Sequence, residues 1–332
     1  MIDLSGRTIT RGGSTRRRSI ERSTRRVHGR SPLCFAFLVA LLGGCAPPDR
    51  PTILTLAAPD DLLHWLQPDS VRSVELHPGV VYRYFWTSRG PWAVHLVQAA
   101  ARSRCDLGFR VLQASGREDG DGGRERVSSM AADAGQPVLA AINADFFTAD
   151  GQTVGAEVVR GRVSAVAGRP TFAWKSGAEP WLGVARPEGE FLALGWAVPL
   201  DGGDGRTEAV GGFPDLIDAG HRVGDLEVTS RPSFAAARHP RSAIGYDSSS
   251  GHVWLVLVDG RQPPHSAGMT LPELAELFEA LGTDEAINLD GGGSSSLVLQ
   301  GMPVNRPSDA TGERAVVNAL ALVTNAGQCT TP

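Results

Sequence analysis

The stretch "AINLDGGGSSSLVLQG", residues 286–301, sets one carboxylate, Asp290, and three glycines between two apolar runs. An acid at the end of a buried strand can be aimed into a cleft. Glycines beside it let backbone amides approach a ligand with no Cβ in the way and can form a nest for an anion. An exposed glycine hairpin with a solvated acid would give the same string. Two other segments repeat the pattern. "HVWLVLVDGRQP" ends an apolar run with Asp259 and Gly260, and "AAINADFF" ends one with Asn143 and Asp145, followed by two aromatics that can wall a pocket. Three apolar strands that each end in Asp or Asn chemistry point to one convergent site. "RHPRSAIGYD" places Arg241 at the border of a further apolar run, where it can bind an anion or form a surface ion pair.

The elements that must position these residues are short. "VVYRYFWT" (80–87), "WAVHLVQA" (92–99), "LGFRVLQA" (107–114), "PVLAAIN" (137–143) and "HVWLVLVDG" (252–260) read as strands, and "VSSMAADAG" (127–135) reads as a short helix ending at Gly135. The clearest helix is "TLPELAELFEALG" (270–282). Thr270 and Glu273 form a capping box, Leu271, Leu274, Leu277, Phe278 and Leu281 make an apolar face, and Gly282 stops the helix. Ala286–Leu289 and Ser296–Leu299 read as strands, with "DGGGSS" as the exposed turn between them. The chain has 40 glycines, 22 prolines and 42% hydrophobic residues in short runs. That composition predicts an α+β fold, a β-sheet domain with few helices and its active site at strand ends.

The first 45 residues read as an address. Nine arginines stand against Asp3 and Glu21 before the apolar run "LCFAFLVALL", which is too short to span a bilayer as a helix. "LLGGC" then sets small residues before Cys45, the pattern of a bacterial lipoprotein signal, and residues 46–74 read as a tether and N-terminal extension. The expectation is an exported protein, anchored to a membrane by lipid on Cys45, in the periplasm or at the cell surface. Removing the leader's nine arginines and two acids turns the net charge from −4 to −11. Such a domain lacks the basic face needed for broad nucleic-acid binding. Of four cysteines, Cys105 and Cys329 lie in the exported part, where they can form a disulfide or stay free. No CxxC or HExxH spacing supports a zinc site.

Taken in order, "NADFF", "GGFPDLIDAG", "HPRSAIGYD", "VWLVLVDGR", the helix ending in "ALG", "AINLDGGGSSSLV" and "ERAVVNALALV" resemble the phosphodiester glycosidase family across about residues 75–325. The resemblance implies an α+β domain with a mixed sheet, and hydrolysis of the bond between a sugar's anomeric carbon and a phosphodiester. It points to Asn143, Asp145, Arg241, Asp259, Gly260, Asp290, Gly291, Gly292 and Ser294, with Glu313, Arg314 and Asn318 as supports. Ala144 stands where the family motif has glycine.

A phosphate ester leaves without a strong acid, so such a site must hold phosphate and stabilise positive charge on the sugar. Asp290 is then expected as the main catalytic carboxylate, with Asp145 as its partner or a ligand for a substrate hydroxyl. Asp259 is a third candidate carboxylate. Arg241 and the glycine amides after Asp290 could bind the phosphate, as could a local cation, but no cofactor is certain. The acidic loops 118–123 and 200–205 could bind Ca²⁺, although neither has EF-hand spacing. The expected partner is a glycan or glycosyl phosphodiester. Two other classes fit the same residues: a metal-dependent phosphodiesterase that cuts P–O, and a saccharide-binding lipoprotein without catalysis.

Overall fold

The computed structural model describes residues 57–116, 123–224, 226 and 232–324. The first 45 residues, expected as a leader ending at Cys45, lie outside the described residues. No described helix is long and apolar enough to cross a membrane.

Two sheets carry the site. The larger has eight strands in the order Ser70–His77, Val80–Thr87, Trp92–Ala99, His252–Val258, Arg241–Asp247, Glu285–Asn288, Asp215–Asp218, His221–Arg222. The second has five, in the order Met302–Pro303, Leu297–Leu299, Val138–Asn143, Asn318–Thr324, Leu107–Gln113. Their inner faces share one core, in which Val97, Ile244, Leu255 and Ile287 from the large sheet meet Phe109, Ile142, Leu297 and Leu320 from the other. The outer faces are covered as well. Helix Leu271–Leu281 lays Leu274, Leu277 and Phe278 on Trp254, Val256 and Ala286, and helix Asp60–Leu66 adds Leu62 and Leu66. Helix Val127–Ala132 sets Met130 on Ala141 and Ala321 of the second sheet. Strands buried on both faces need apolar residues at every position, which is why these segments read as continuous runs and not as alternating ones. A third sheet, with central strands Thr207–Gly211 and Pro170–Lys175, closes one side and sends Phe172, Trp174 and Val210 into the main core.

The long helix forms as its sequence dictates. Thr270 accepts from the Glu273 N–H at 3.2 Å while the Glu273 carboxylate accepts from the Thr270 N–H at 2.9 Å. Gly282 takes the left-handed conformation, φ 74°, and ends it. This helix is the crossover between strands His252–Val258 and Glu285–Asn288. Both pair antiparallel with Arg241–Asp247, which lies between them, so the two run in the same direction. Asp259, Arg241 and Asp290 therefore arrive at one end of the large sheet. Pairing of Leu297 with Ile142 and of Ala319 with Asn143 brings the matching end of the second sheet to the same place.

Several expectations are refined. The domain is α+β, but every described strand pairing is antiparallel, where a mixed sheet was expected, because the long crossover skips a strand instead of joining neighbours. Helix Val127–Ala132 stops three residues before Gly135. Packed structure begins at Asp60, ahead of residue 75. Cys105 is disulfide-bonded, and Cys329 lies outside the described residues.

Candidate active site

The "LDGGGSSS" segment is not an exposed hairpin turn. The runs it joins lie in different sheets, and Gly292–Ser296 are buried. The segment carries the chain from the end of one sheet to the end of the other, and Asn143 fastens it there. The Asn143 amide donates to the Asp290 carbonyl at 2.6 Å, while its oxygen accepts from the Ser242 hydroxyl at 2.7 Å and the Ser296 N–H at 3.1 Å. One fully buried side chain thus ties both sheets to the loop. The Asp290 N–H donates to the Ala144 carbonyl at 2.9 Å. Ala144 sits 1% exposed in the core with no left-handed backbone, so its methyl group is accommodated where the motif has glycine.

Asp290 is half-buried. Its Oδ1 accepts from the Gly291 N–H at 2.9 Å. Burial pushes its carboxyl up to about 6, against the opposing pull of hydrogen bonds from Ser294 and the Gly291 N–H and of the Arg314 charge. Two of the three glycine amides are taken within the protein. The Gly291 N–H is taken by Asp290 and the Gly292 N–H by the Pro240 carbonyl at 2.9 Å. What the missing side chains permit is close approach of two guanidinium groups. A Cβ on Gly292, whose φ is 63°, would lie 3.0 Å from Arg261 Nη2, and one on Gly293 would lie 2.0 Å from Arg314 Nη2. Arg314 is paired with Asp309 at 2.8 Å. Arg261 has no carboxylate partner among the described residues; its hydrogen bonds go to His239 Nδ1, at 3.1 and 3.3 Å.

Asp145, 2% exposed, is one residue from the Ala144–Asp290 bond. Its backbone N–H donates to Asn318 Oδ1 at 2.9 Å, and its Oδ2 accepts from Asn318 Nδ2 at 3.0 Å and the Gly211 N–H at 3.1 Å. Asn318 Nδ2 also reaches the buried Glu157 at 2.6 Å. Gly155 and Gly211 make room for the Asp145 carboxylate: a Cβ on either would fall 2.2 or 2.7 Å from Oδ1. Phe146 packs edge-on against Phe234 at 6.2 Å, and Phe234 lies under the Arg241 guanidinium at 5.0 Å.

Arg241 and Asp259 are engaged by the protein itself. Arg241, 1% exposed, donates to the carbonyls of Met269, Phe234 and Ala237 at 2.9–3.0 Å. Burial, and then the Arg261 charge, lower its guanidinium to about 10, so it stays charged at neutral pH. Asp259, 2% exposed, accepts from His265 at 2.8 Å, His95 at 3.4 Å and the Arg306 N–H at 3.0 Å, and His95 is held in turn by Tyr82 at 2.8 Å. Burial alone would raise Asp259, but these donors outweigh it and hold the carboxyl below the ordinary range. Gly260 allows the chain behind Asp259 to cross His239 and Pro240, since a Cβ there would fall 2.5 Å from the Pro240 nitrogen. Ser294 is buried under Asp290. Sequence reading missed His95, His265, Arg261 and Glu157 as members of this assembly. Only Arg261 carried a local signal, standing directly after the Asp-Gly pair that ends a strand.

Among the described residues, no group of three or more His, Cys, Asp or Glu could hold a metal ion. In the loop 200–205, Asp204 uses its carboxylate on Arg206, Thr207 and Lys175. Residues 118–122 of the other acidic loop lie outside the described residues.

At the shared end of the two sheets, the buried carboxylates Asp145 and Asp259 and the half-buried Asp290 lie on segments that leave the core, and the guanidinium groups of Arg261 and Arg314 approach the glycine loop. The chain belongs to the phosphodiester glycosidase family, which matches residues 136–323. It is similar to the SPbeta prophage-derived uncharacterized protein YomE of Bacillus subtilis, with 42% identity over 85 residues, 26% of this chain and 13% of that protein. It is also similar to the N-acetylglucosamine-1-phosphodiester alpha-N-acetylglucosaminidase of Bos taurus, with 42% identity over 83 residues, 25% of this chain and 15% of that protein. The matched stretches thus span only a small part of these relatives. In fold, the chain resembles the zebrafish N-acetylglucosamine-1-phosphodiester alpha-N-acetylglucosaminidase catalytic domain auto-inhibited by its pro-peptide (TM-score 0.60, 21% identity, 76% of this chain and 87% of that one). It also resembles a hypothetical protein from Synechocystis (TM-score 0.61, 20% identity, 77% and 64%).

Proposed function

We propose that this chain hydrolyses the bond between a sugar's anomeric carbon and a phosphodiester, in envelope or extracellular glycans reached by export and lipid anchoring at Cys45. The observation that carries the reading is the placement of Asp290, a carboxyl that burial pushes up to about 6, on the glycine loop against which two guanidinium groups lie. A carboxylate that is ionised just above pH 6 can stabilise the positive charge that develops on the sugar ring or act on the anomeric carbon itself. As the C–O bond breaks, its electron pair goes to the phosphate oxygen. Arg261, which has no carboxylate partner among the described residues, is the group to hold that charge, and water supplies the oxygen that remains on the sugar.

Asp145, fixed by Asn318 and Gly211, is the partner carboxylate or the ligand for a sugar hydroxyl. Arg241 and Asp259 act one step back. Arg241 anchors the segment 234–237 beside the site, and Asp259 fixes the strand end that carries Arg261.

Hydrolysis in ¹⁸O-water tests the reaction. Label in the released sugar supports glycosidic cleavage, whereas label in the phosphate would assign P–O cleavage, the phosphodiesterase reading. Glycan binding without turnover would leave a saccharide-binding protein.

A further inference from the structure

Resting on that reading, we infer that His239 is a positioning residue for the phosphate, a neutral imidazole whose Nδ1 lone pair holds the Arg261 guanidinium over the glycine loop. Arg261 Nε and Nη2 approach this nitrogen at 3.3 and 3.1 Å. A guanidinium has only donors, so Nδ1 must accept and the ring proton must sit on Nε2. Other arginines nearby are held by carboxylates, Arg314 by Asp309 and Arg238 by Glu273, and their charge is largely neutralised by the partner. A neutral acceptor fixes a guanidinium without neutralising it, which leaves the charge for an incoming anion.

The anchor itself is rigid. The His239 backbone exchanges hydrogen bonds with Met269 at 3.1 and 3.2 Å and is crossed by two glycines, since a Cβ on Gly268 or Gly260 would fall 2.4 or 2.8 Å from it. The next residue, Pro240, receives the Gly292 N–H, so one dipeptide fixes both the loop and the arginine that lies on it. Arg261 has a left-handed backbone, φ 59°, that a non-glycine residue adopts only at some energetic cost, and it aims the side chain back toward Gly292.

This arrangement makes phosphate affinity sensitive to protonation. The charged groups that act on His239 are Arg241 on the strand that follows it and Arg261 across the crossing, while Arg238, its neighbour in the chain, is paired with Glu273. Burial, then Arg241 and Arg261, push the imidazole below its ordinary value, which keeps it neutral at pH 7. Protonation in acid removes the acceptor and sets a cation against the guanidinium, so Arg261 leaves the loop.

The test is steady-state hydrolysis of a sugar-1-phosphodiester by the full chain from about pH 5 to 8.5, with inorganic phosphate binding measured by calorimetry on the same samples at one neutral pH, where the ionisation of the probe is the same for every variant. For wild type, KM for the diester, whose own charge is constant over this range, rises in acid, and the neutral-pH phosphate Kd is the reference for the variants. His239→Ala raises both about tenfold at neutral pH, the loss of one charge-assisted contact, and changes kcat less than about twofold. His239→Asn, whose amide oxygen can replace Nδ1 and does not titrate, restores KM and abolishes its acidic rise. An unchanged KM and Kd in His239→Ala, or an acidic rise that persists in His239→Asn, overturns the proposal. If wild type releases no sugar, the proposed reaction fails by itself, and phosphate affinity across the three proteins still decides the role of His239.

Discussion

Replacing Asp290 by asparagine is expected to stabilise the protein while abolishing turnover. The folded environment moves this carboxyl from an ordinary 3.8 to about 6, chiefly by burial. At about 1.4 kcal/mol for each tenfold change in proton affinity, keeping Asp290 ionised costs the folded state at most about 3 kcal/mol. The sign follows from which state binds the proton more tightly. Above pH 6 both states are ionised and the full penalty is present. As pH falls from 6 to 3.8 the folded protein takes up its proton first, so the penalty shrinks. Asparagine is neutral, can still accept the Gly291 N–H, and escapes the penalty altogether. Urea unfolding at pH 8 is expected to show Asp290→Asn more stable than wild type by roughly 1–3 kcal/mol, the lower figures reflecting contact of the carboxylate with solvent, with about half the gain left at pH 5. A variant no more stable than wild type at pH 8, or a gain that does not shrink in acid, refutes the reasoning that a strained carboxylate is maintained there for chemistry.

Arg261→Ala is expected to lower kcat/KM about 10- to 100-fold, with Arg261→Lys recovering only part because a point charge replaces a fork; steady-state kinetics at neutral pH checks this. Gly155→Ala places a Cβ 2.2 Å from Asp145 Oδ1 and 2.5 Å from Gly211 Cα, so the carboxylate must move, and kcat is expected to fall about 100-fold. Gly168→Ala, which meets nothing within 4 Å, serves as its control. Asn143→Ala strands the Asp290 carbonyl, the Ser242 hydroxyl and the Ser296 N–H in the interior, and a loss of about 3–5 kcal/mol in urea unfolding is expected together with lost activity.

What the sequence reveals here is local, and what it conceals is long-range. Helix Leu271–Leu281 was legible because its cap, apolar face and terminal glycine are contiguous. The strand ends at Asn143 and Asp259 were legible because an apolar run followed by Asx chemistry marks a chain leaving a core. The same logic failed for the glycine loop. Two short apolar runs with glycines between them look like a hairpin, and nothing nearby says that the runs enter different sheets, a choice made by Ile142 pairing with Leu297 and Ala243 with Asn288. His95 lay hidden in a strand buried at every position, where a lone histidine reads as core, and its partner Asp259 is 164 residues away. Arg241 looked like an anion ligand because the carbonyls that surround it come from Phe234, Ala237 and Met269, which no spacing rule connects.

The most direct measurement gives the chain from about residue 50 an N-acetylglucosamine-1-phosphodiester and quantifies free reducing sugar and phosphomonoester for wild type and Asp290→Asn. Equimolar release of both products by wild type, rising as pH passes about 6 and absent in a folded Asp290→Asn, is the predicted result. Equal release by the two proteins would contradict it and remove Asp290 from the centre of the chemistry.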